Sequence, residues 1–224
     1  MNATSIRHTS TAIATALVLA LAGVGSTPGA TPPAEWRFTV RLDGKPIGTH
    51  SYVLTGARDG RLALNSEAQF DVTLLGVPLY RYRHRASERW ADGCLASIEA
   101  RTEDNGRLTE LRGQAQDGRF DLAVSNEAGA APQPTVSAGC LMSFAYWNPA
   151  LAGQQRLLDP GSGRIESVAI VTTAAVPADL EQQPVRGLRI RGLAQPIDVW
   201  YVGNRWVGLD TIVSGGRRLS YRLR

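Results

Sequence analysis

Two histidines and two cysteines carry the widest chemical repertoire in the body of this chain. They are His50, His84, Cys94 and Cys140. A metal site would need several His, Cys or carboxylate ligands that converge on one point. The chain has no C-x-x-C or H-x-x-x-H spacing to suggest such a set. We therefore predict no metal site and no cofactor, and we expect each histidine to be a strand residue that is hydrogen-bonded to a neighbour.

Nucleophilic catalysis needs a Ser or Cys within reach of a base and an orienting group. No G-x-S-x-G elbow is present. Cys140 with His84 is conceivable as a nucleophile and base, but their spacing does not single them out. Four acids lie close together in the sequence, as paired carboxylates for glycoside chemistry would require: Glu88, Asp92, Glu99 and Glu103. The sequence leans against an enzyme and leaves open acid–base chemistry through His84 or Glu88.

The two cysteines leave two alternatives open. In an oxidising compartment, Cys94 and Cys140 can form a disulfide. In the chain-entropy description, such a bridge would stabilise the fold by roughly 4 kcal/mol. The alternative is two separate buried thiols, since free cysteine behaves as a small apolar residue.

A row of arginines alternates with aromatic and small residues between positions 80 and 90. The row consists of Arg81, Arg83, Arg85 and Arg89. Arginine binds phosphate and carboxylate bidentately, so the row could recognise anionic head groups. The simpler interpretation, which we favour, is a solvated face whose arginines pair with acids across the sheet, such as Glu99 and Glu103.

The N-terminus predicts export. A flank containing Arg7 precedes an uncharged apolar run at residues 10–26, and small residues follow it. This order is typical of a secretory signal peptide, which we assign to residues 1–30. The run is short for a transmembrane helix, although an uncleaved anchor is the alternative. We expect a periplasmic or secreted protein, with peripheral contact with the envelope possible.

The net charge of the chain gives little information about its binding partners. The chain carries 24 Lys and Arg against 20 Asp and Glu. No basic block resembles a nucleic-acid tract, so we predict no nucleic-acid partner. The sequence leaves the oligomeric state undetermined.

The elements that must position these residues are strands. Apolar and polar residues alternate from Trp36 onwards, and period-two alternation indicates strands with one buried face. Hairpin dipeptides punctuate them at Asp43-Gly44, Asp59-Gly60, Asp92-Gly93, Asn105-Gly106, Asp117-Gly118, Gly203-Asn204 and Gly215-Gly216. We predict a mainly all-β fold for residues 31–224. It would be one domain, a single curved antiparallel sheet or half-open barrel of about eleven strands. A short helical insertion is expected near residues 140–158, interrupted at Pro149.

The alternation also predicts a candidate site. On residues 80–90, the tyrosine-bearing face is the more apolar one, and we expect it to point inward. A half-open barrel would then line a ligand pocket from the sheet and from the insertion. The predicted ligand-binding residues are Leu64, Phe70, Tyr82, His84 and Trp90 on the sheet, with Phe144 and Trp147 on the insertion. The aromatic group of the insertion could equally plug the sheet as ordinary core.

Three segments carry a family resemblance. Residues 75–106 combine a tyrosine-rich strand, a Glu-x-Trp-x-x-Gly turn and an Asn-Gly hairpin, and residues 145–151 and 198–210 extend the pattern. In these features, the chain resembles a family of uncharacterised exported bacterial proteins. The resemblance implies a curved antiparallel sheet similar to that of periplasmic lipoprotein-carrier proteins, and it transfers no catalytic residue.

The sequence therefore favours an exported envelope protein that binds or carries a lipid or other apolar ligand without catalysis. One alternative is an envelope enzyme that acts on an anionic or glycan substrate. Another is an assembly factor that adds a strand to a partner, which would need an unguarded edge strand. We expect the C-terminal strand, at residues 219–223, to be an edge guarded by arginines.

Overall fold

The chain is built almost wholly from β-strands. We analysed a computed structural model that describes residues 33–56, 61–126 and 133–224, and of residues 74 and 133–137 only the backbone. The predicted signal peptide and the Asp59-Gly60 turn lie outside these residues. The first eight strands are β1 (Ala34–Leu42), β2 (Lys45–Gly56), β3 (Leu62–Leu74), β4 (Val77–Ala91), β5 (Cys94–Asp104), β6 (Arg107–Gln116), β7 (Arg119–Asn126) and β8 (Gln133–Ala138). The others are β9 (Met142–Ser143), β10 (Arg156–Leu158), β11 (Ile165–Ser167), β12 (Ala169–Thr173), β13 (Val185–Arg191), β14 (Ile197–Val202), β15 (Arg205–Val213) and β16 (Arg217–Leu223).

One large antiparallel sheet dominates the described residues. Its thirteen strands run in the order β12-β13-β14-β15-β16-β1-β2-β3-β4-β5-β6-β7-β8, and the sheet does not close on itself. The predicted fold class is confirmed, with more strands than the eleven expected. The expectation that the C-terminal strand forms an edge is wrong. Strand β16 pairs with β1 as well as β15, because the two ends of the β meander meet in the middle of the sheet.

The hairpins form where the dipeptides predict them. Asp43, Asp92, Asn105 and Asp117 all have φ near +50°, and each is followed by a glycine with positive φ. Those backbone conformations are what a two-residue type I′ hairpin requires. Leu75 and Gly76 form a further turn of this kind, so that β4 starts at Val77, just before Pro78.

The sheet bends at irregular positions in its ladders. One register shift lies between Val40 and Arg41 of β1, opposite Gly48 of β2. A Cβ atom at Gly48 would lie 1.8 Å from the carbonyl oxygen of Gln69. Only glycine therefore allows β3 to approach β2 this closely, and bulges of this kind bend a sheet. The curvature separates a concave face from a convex face.

The segment 139–168, called the insertion below, contains the expected short helix, the 3-10 helix Pro149–Gly153, and three short strands, β9, β10 and β11, which form a small separate sheet. Pro149 begins the helix instead of interrupting it, because proline at the first helical position sacrifices no hydrogen bond. The side chain of Asn148 caps this start by accepting the Ala150 N–H at 3.0 Å.

The core lies between the concave face and the insertion. Phe38, Trp90 and Trp206 of the sheet are almost fully buried, as are Met142 and Leu157 of the insertion. These residues belong to one continuous apolar cluster. The insertion therefore completes the core of the domain, and its remaining side chains border the space that is left open.

Candidate functional site

A pocket of about 300 Å³ remains between the concave face and the insertion. Its walls come from β2, β3 and β4, from the insertion, and from β14, β15 and β16. The wall is aromatic over much of its area. Tyr52, Tyr82 and Tyr221 come from the sheet, and Tyr146 and Trp147 come from the insertion. A volume of this size is at the lower end of the range for small-molecule sites, which is about 300–1,000 Å³.

Glu88 is the most deeply buried acid of this pocket, with 3% of its surface exposed. Its Oε2 accepts the Nε1–H of Trp90 at 2.9 Å, and its carboxyl is also hydrogen-bonded to Ser143. Burial raises the pKa of Glu88 to about 7, although both hydrogen bonds act in the opposite direction. The side chain therefore exchanges a proton near neutral pH.

The two histidines of the pocket stay neutral. Burial lowers the pKa of His84 to about 4, against the opposing influence of the Asp159 carboxylate. Burial and the neighbouring His84 hold the pKa of His50 well below its usual range. His84 Nδ1 lies 2.8 Å from Thr102 Oγ1, and His50 Nδ1 lies 3.1 Å from the Tyr52 hydroxyl. Each ring therefore has one nitrogen fixed by a neighbour, as the sequence predicts for strand histidines.

Two buried nitrogens of the pocket wall lack a protein partner. Within the described part of the chain, no hydrogen-bonding group lies within reach of Trp147 Nε1 or His50 Nε2. The indole of Trp147 is 8% exposed and packs edge-on against Trp90, with ring centroids 5.3 Å apart. Buried polar groups are nearly always hydrogen-bonded. Trp36 Nε1, which is outside the lining of the pocket, is likewise buried and unpaired.

The charges that border the pocket are all of one sign. Glu88, Asp159 and Glu166 contribute carboxyl groups, while none of the described residues along this wall is a lysine or an arginine. Asp159 accepts hydrogen bonds from the Gly161 N–H at 2.8 Å and the Ser162 hydroxyl at 2.7 Å. Glu166 pairs with Arg164, whose side chain is 74% exposed. Glu88 and Asp159, unlike Glu166, have no cation within salt-bridge distance among the described residues.

The structure distributes the predicted ligand-binding residues over two layers. Those that line the pocket directly are Leu64, Tyr82, His84, Phe144 and Trp147. Phe70 lies outside this lining and stacks on Tyr82, with ring centroids 5.2 Å apart. Trp90 is 2% exposed and supports Glu88 and Trp147 from behind. These two side chains thus hold the wall in place instead of facing the pocket.

Several lining residues were not among the predicted ligand-binding set. They are His50, Tyr52, Glu88, Ser143, Tyr146, Asp159 and Tyr221. The inward alternation of β4 did place Glu88 on the same face as His84. Tyr221 reaches the pocket because β16 pairs with β1, and no local pattern in the sequence predicts that pairing.

A disulfide anchors the insertion. Cys94 at the start of β5 is bonded to Cys140, with Cα atoms 5.2 Å apart. Next to it, the Leu95 N–H donates to the Leu141 carbonyl at 2.8 Å.

The aromatic group of the insertion both fills the core and covers the pocket, so the two alternatives for that group are combined in one segment.

The arginine row of β4 lies on the convex face. Arg83 binds Asp71 at 2.8 Å, and Arg85 binds Glu67 at 3.0 Å. The partners come from β3 instead of the expected Glu99 and Glu103. A groove of about 480 Å³ runs among these side chains, but it is more open than the concave pocket and its charges are largely paired. This arrangement is that of a solvated ladder of opposite charges.

No group of three or more His, Cys, Asp or Glu residues in the described part of the chain could hold a metal ion. No helix in the same part of the chain is long and apolar enough to cross a membrane.

Comparison with known proteins supplies a family and a fold. A family model described as Domain of unknown function (DUF6134) matches residues 38–224. Among solved structures, the chain is similar to a beta-barrel-like protein of Domain of Unknown Function DUF1849 from Brucella abortus. The TM-score is 0.57 at 14% sequence identity, over 86% of this chain and 94% of that one. A search of curated proteins finds no significant match. At this identity the structural likeness shows the fold alone.

Proposed function

The chain belongs to the DUF6134 family, and we propose that it binds a small, largely apolar ligand in the concave face of its sheet without transforming it. The observation that carries this proposal is the pocket of about 300 Å³ between sheet and insertion. Concave, mostly apolar cavities with a few polar groups are the usual form of small-molecule sites. Glu88, Ser143 and Asp159 are among the polar residues of the pocket wall.

The size of the pocket limits the lipids that it could hold. About 300 Å³ suits one short chain or ring system and is too small for a lipid with two acyl chains. The ligand we propose is therefore smaller than a whole membrane lipid. The insertion, fixed by the Cys94–Cys140 bridge, would keep it from solvent.

We also propose that the protein is exported. The composition of residues 1–30 supports this, and so does a disulfide, which persists in oxidising compartments. Mass spectrometry of the protein recovered from its native cell tests the proposal. Export predicts a mature N-terminus between residues 25 and 34 in an extracytoplasmic fraction, and an intact Met1 in the cytoplasm would contradict it.

The binding proposal is tested by filling the pocket. Ser66 lines it from β3 and is only partly buried, so Ser66→Phe adds bulk there without removing core. We expect the affinity for 1-octanol, followed by isothermal titration calorimetry, to fall by about ten-fold or more, which corresponds to the loss of a buried apolar contact.

The matched control is Ser87→Phe, which adds the same side chain to the convex face of the neighbouring strand β4. Ser87 is exposed, and this variant should bind 1-octanol as the wild type does. If the wild type binds no 1-octanol, or if both variants bind it equally well, the binding proposal is contradicted.

A second candidate function rests on Glu88 alone. A carboxyl group with a pKa of about 7 is suited to general acid–base catalysis, and here it touches the Ser143 hydroxyl. Under this alternative the pocket would turn over its ligand. A Glu88→Gln variant that still binds a substrate but no longer transforms it would support catalysis.

A further inference from the structure

The pocket differs in charge from the rest of the molecule. The chain carries 24 Lys and Arg residues, yet none of the described residues that line the concave pocket is one of them. Glu88 and Asp159 contribute carboxyl groups there, and neither is within salt-bridge distance of a described cation. An anionic ligand would meet repulsion from these groups and no compensating partner.

The wall offers a second feature that favours positive charge. Tyr52, Tyr82, Tyr146 and Trp147 present aromatic rings to the same cavity. The face of an aromatic ring carries a partial negative charge and attracts ammonium groups, most strongly where water is excluded. Aromatic rings around a buried carboxyl group form an environment that stabilises an organic cation.

The fixed orientation of the Glu88 carboxyl is a third feature that favours a positively charged ligand. Its carboxyl is held by the Trp90 indole at 2.9 Å and by Ser143, so its orientation is fixed before any ligand arrives. A buried carboxyl group without a cationic partner reduces the stability of a fold. Residues that reduce stability in this way are typical of functional sites.

We propose that the ligand of the concave pocket carries an ammonium group on a small apolar body, and that Glu88 is the residue that recognises the ammonium group. This inference rests on the proposed binding function and names the chemical class of the ligand. The ammonium group would lie against Glu88 and the ring of Tyr52, which is close enough to Glu88 for the two groups to interact electrostatically, and the apolar part would lie against the other aromatic rings of the wall. The same argument disfavours anionic lipids as ligands.

Three probes of matched size test the proposal: octylammonium, 1-octanol and octanoate. Titrations are made by calorimetry at about pH 8, where Glu88 is largely ionised. We expect the affinity for octylammonium to exceed that for 1-octanol by about ten-fold or more, because its ammonium group would form a charge-assisted hydrogen bond with Glu88. Octanoate should bind more weakly than both.

Glu88→Gln keeps the size and the hydrogen-bond acceptor of the side chain but removes its charge. In this variant we expect the preference for octylammonium over 1-octanol to disappear, while 1-octanol still binds. Glu99→Gln, an exposed acid of the convex face, is the matched control and should keep the preference. Circular dichroism melts show whether each variant is folded.

The outcomes separate the two proposals. If no probe binds the wild type, the binding function itself fails and the ammonium inference fails with it. If 1-octanol and octanoate bind as tightly as octylammonium, or if Glu88→Gln keeps the preference, binding stands and the ammonium inference is overturned.

Discussion

The two faces of strand β4 differ in how their charged side chains are paired. On the convex face, Arg83 and Arg85 each pair with an acid of β3 within 3.0 Å. On the concave face, Glu88 is buried without a cation, and the other buried titratable residue of that face, His84, is neutral. The convex side chains can be explained by solubility and sheet pairing alone. On the concave face, the Glu88 carboxyl has hydrogen-bond partners but no cationic partner among the described residues, an arrangement that is typical of functional sites.

Successive side chains of β4 point to opposite faces, which separates the paired arginines from Glu88. The insertion increases the difference because it covers the concave face. Without the segment 139–168, the concave face would be open to water, and Glu88 would behave as an ordinary surface acid. The insertion contributes Ser143 and Tyr146 to the wall and removes the site from solvent. Removing the disulfide that fixes the insertion is therefore the first test of this difference between the two faces.

The largest expected effect is that of removing this bridge. The double variant Cys94→Ser, Cys140→Ser opens a loop with a sequence separation of 46 residues. Loop entropy predicts a loss of about 4 kcal/mol in the free energy of unfolding, measured by urea denaturation. Because the insertion is then less firmly held on the sheet, affinity for the octyl probes should fall as well. A variant as stable as the wild type would contradict the anchoring role of the bridge.

The next effect is the dependence of stability on pH, which comes from Glu88. Its pKa is about 7 in the folded protein and 4.5 in the unfolded chain. Between these values the folded state holds more protons, so stability decreases as the pH rises from about 4.5 to 7. Above pH 7 the decrease is complete, and a shift of this size corresponds to roughly 3 kcal/mol.

Glu88→Gln isolates this contribution. His84 and His50 act in the opposite direction, since they stay neutral in the fold and destabilise it as the pH falls from about 6.5 to 4. These histidines, like Asp159 and Tyr52 nearby, are present in both proteins. The difference in unfolding free energy, wild type minus variant, should therefore fall by about 3 kcal/mol between pH 4 and 8. A difference that does not change with pH would show that Glu88 is not buried as described.

The smallest effect belongs to the convex face. Arg85→Ala removes an ion pair with Glu67 whose arginine side chain is 78% exposed. Exposed pairs contribute about 0.2–1 kcal/mol, and salt screens them. We expect a loss in this range that disappears at high salt, with unchanged affinity for 1-octanol. A ten-fold loss of affinity would place ligand binding on the convex face instead.

Much of the fold could be predicted from the sequence because its signals are local. Alternation and Asp-Gly or Asn-Gly dipeptides predict the strands and hairpins, and the apolar side of β4 predicts which face points inward. The pairing of β16 with β1 could not be predicted, since it joins residues such as Phe38 and Leu223 from opposite ends of the chain. The same reason explains why Tyr221 was missed. The strands of the insertion could not be predicted, because β9 and β10 have two and three residues, too few to show a period.

The most direct test of the account uses two indoles of the protein as reporters. Trp147 lines the concave pocket and its Nε1–H has no partner among the described residues, whereas the Trp200 Nε1–H donates to the Ala175 carbonyl at 2.9 Å, away from the pocket. In an NMR titration of ¹⁵N-labelled protein with octylammonium, the account predicts a saturable shift of the Trp147 indole signal and an unchanged Trp200 signal. Equal shifts of both signals, or a shift of Trp200 alone, would contradict a ligand site in the concave face.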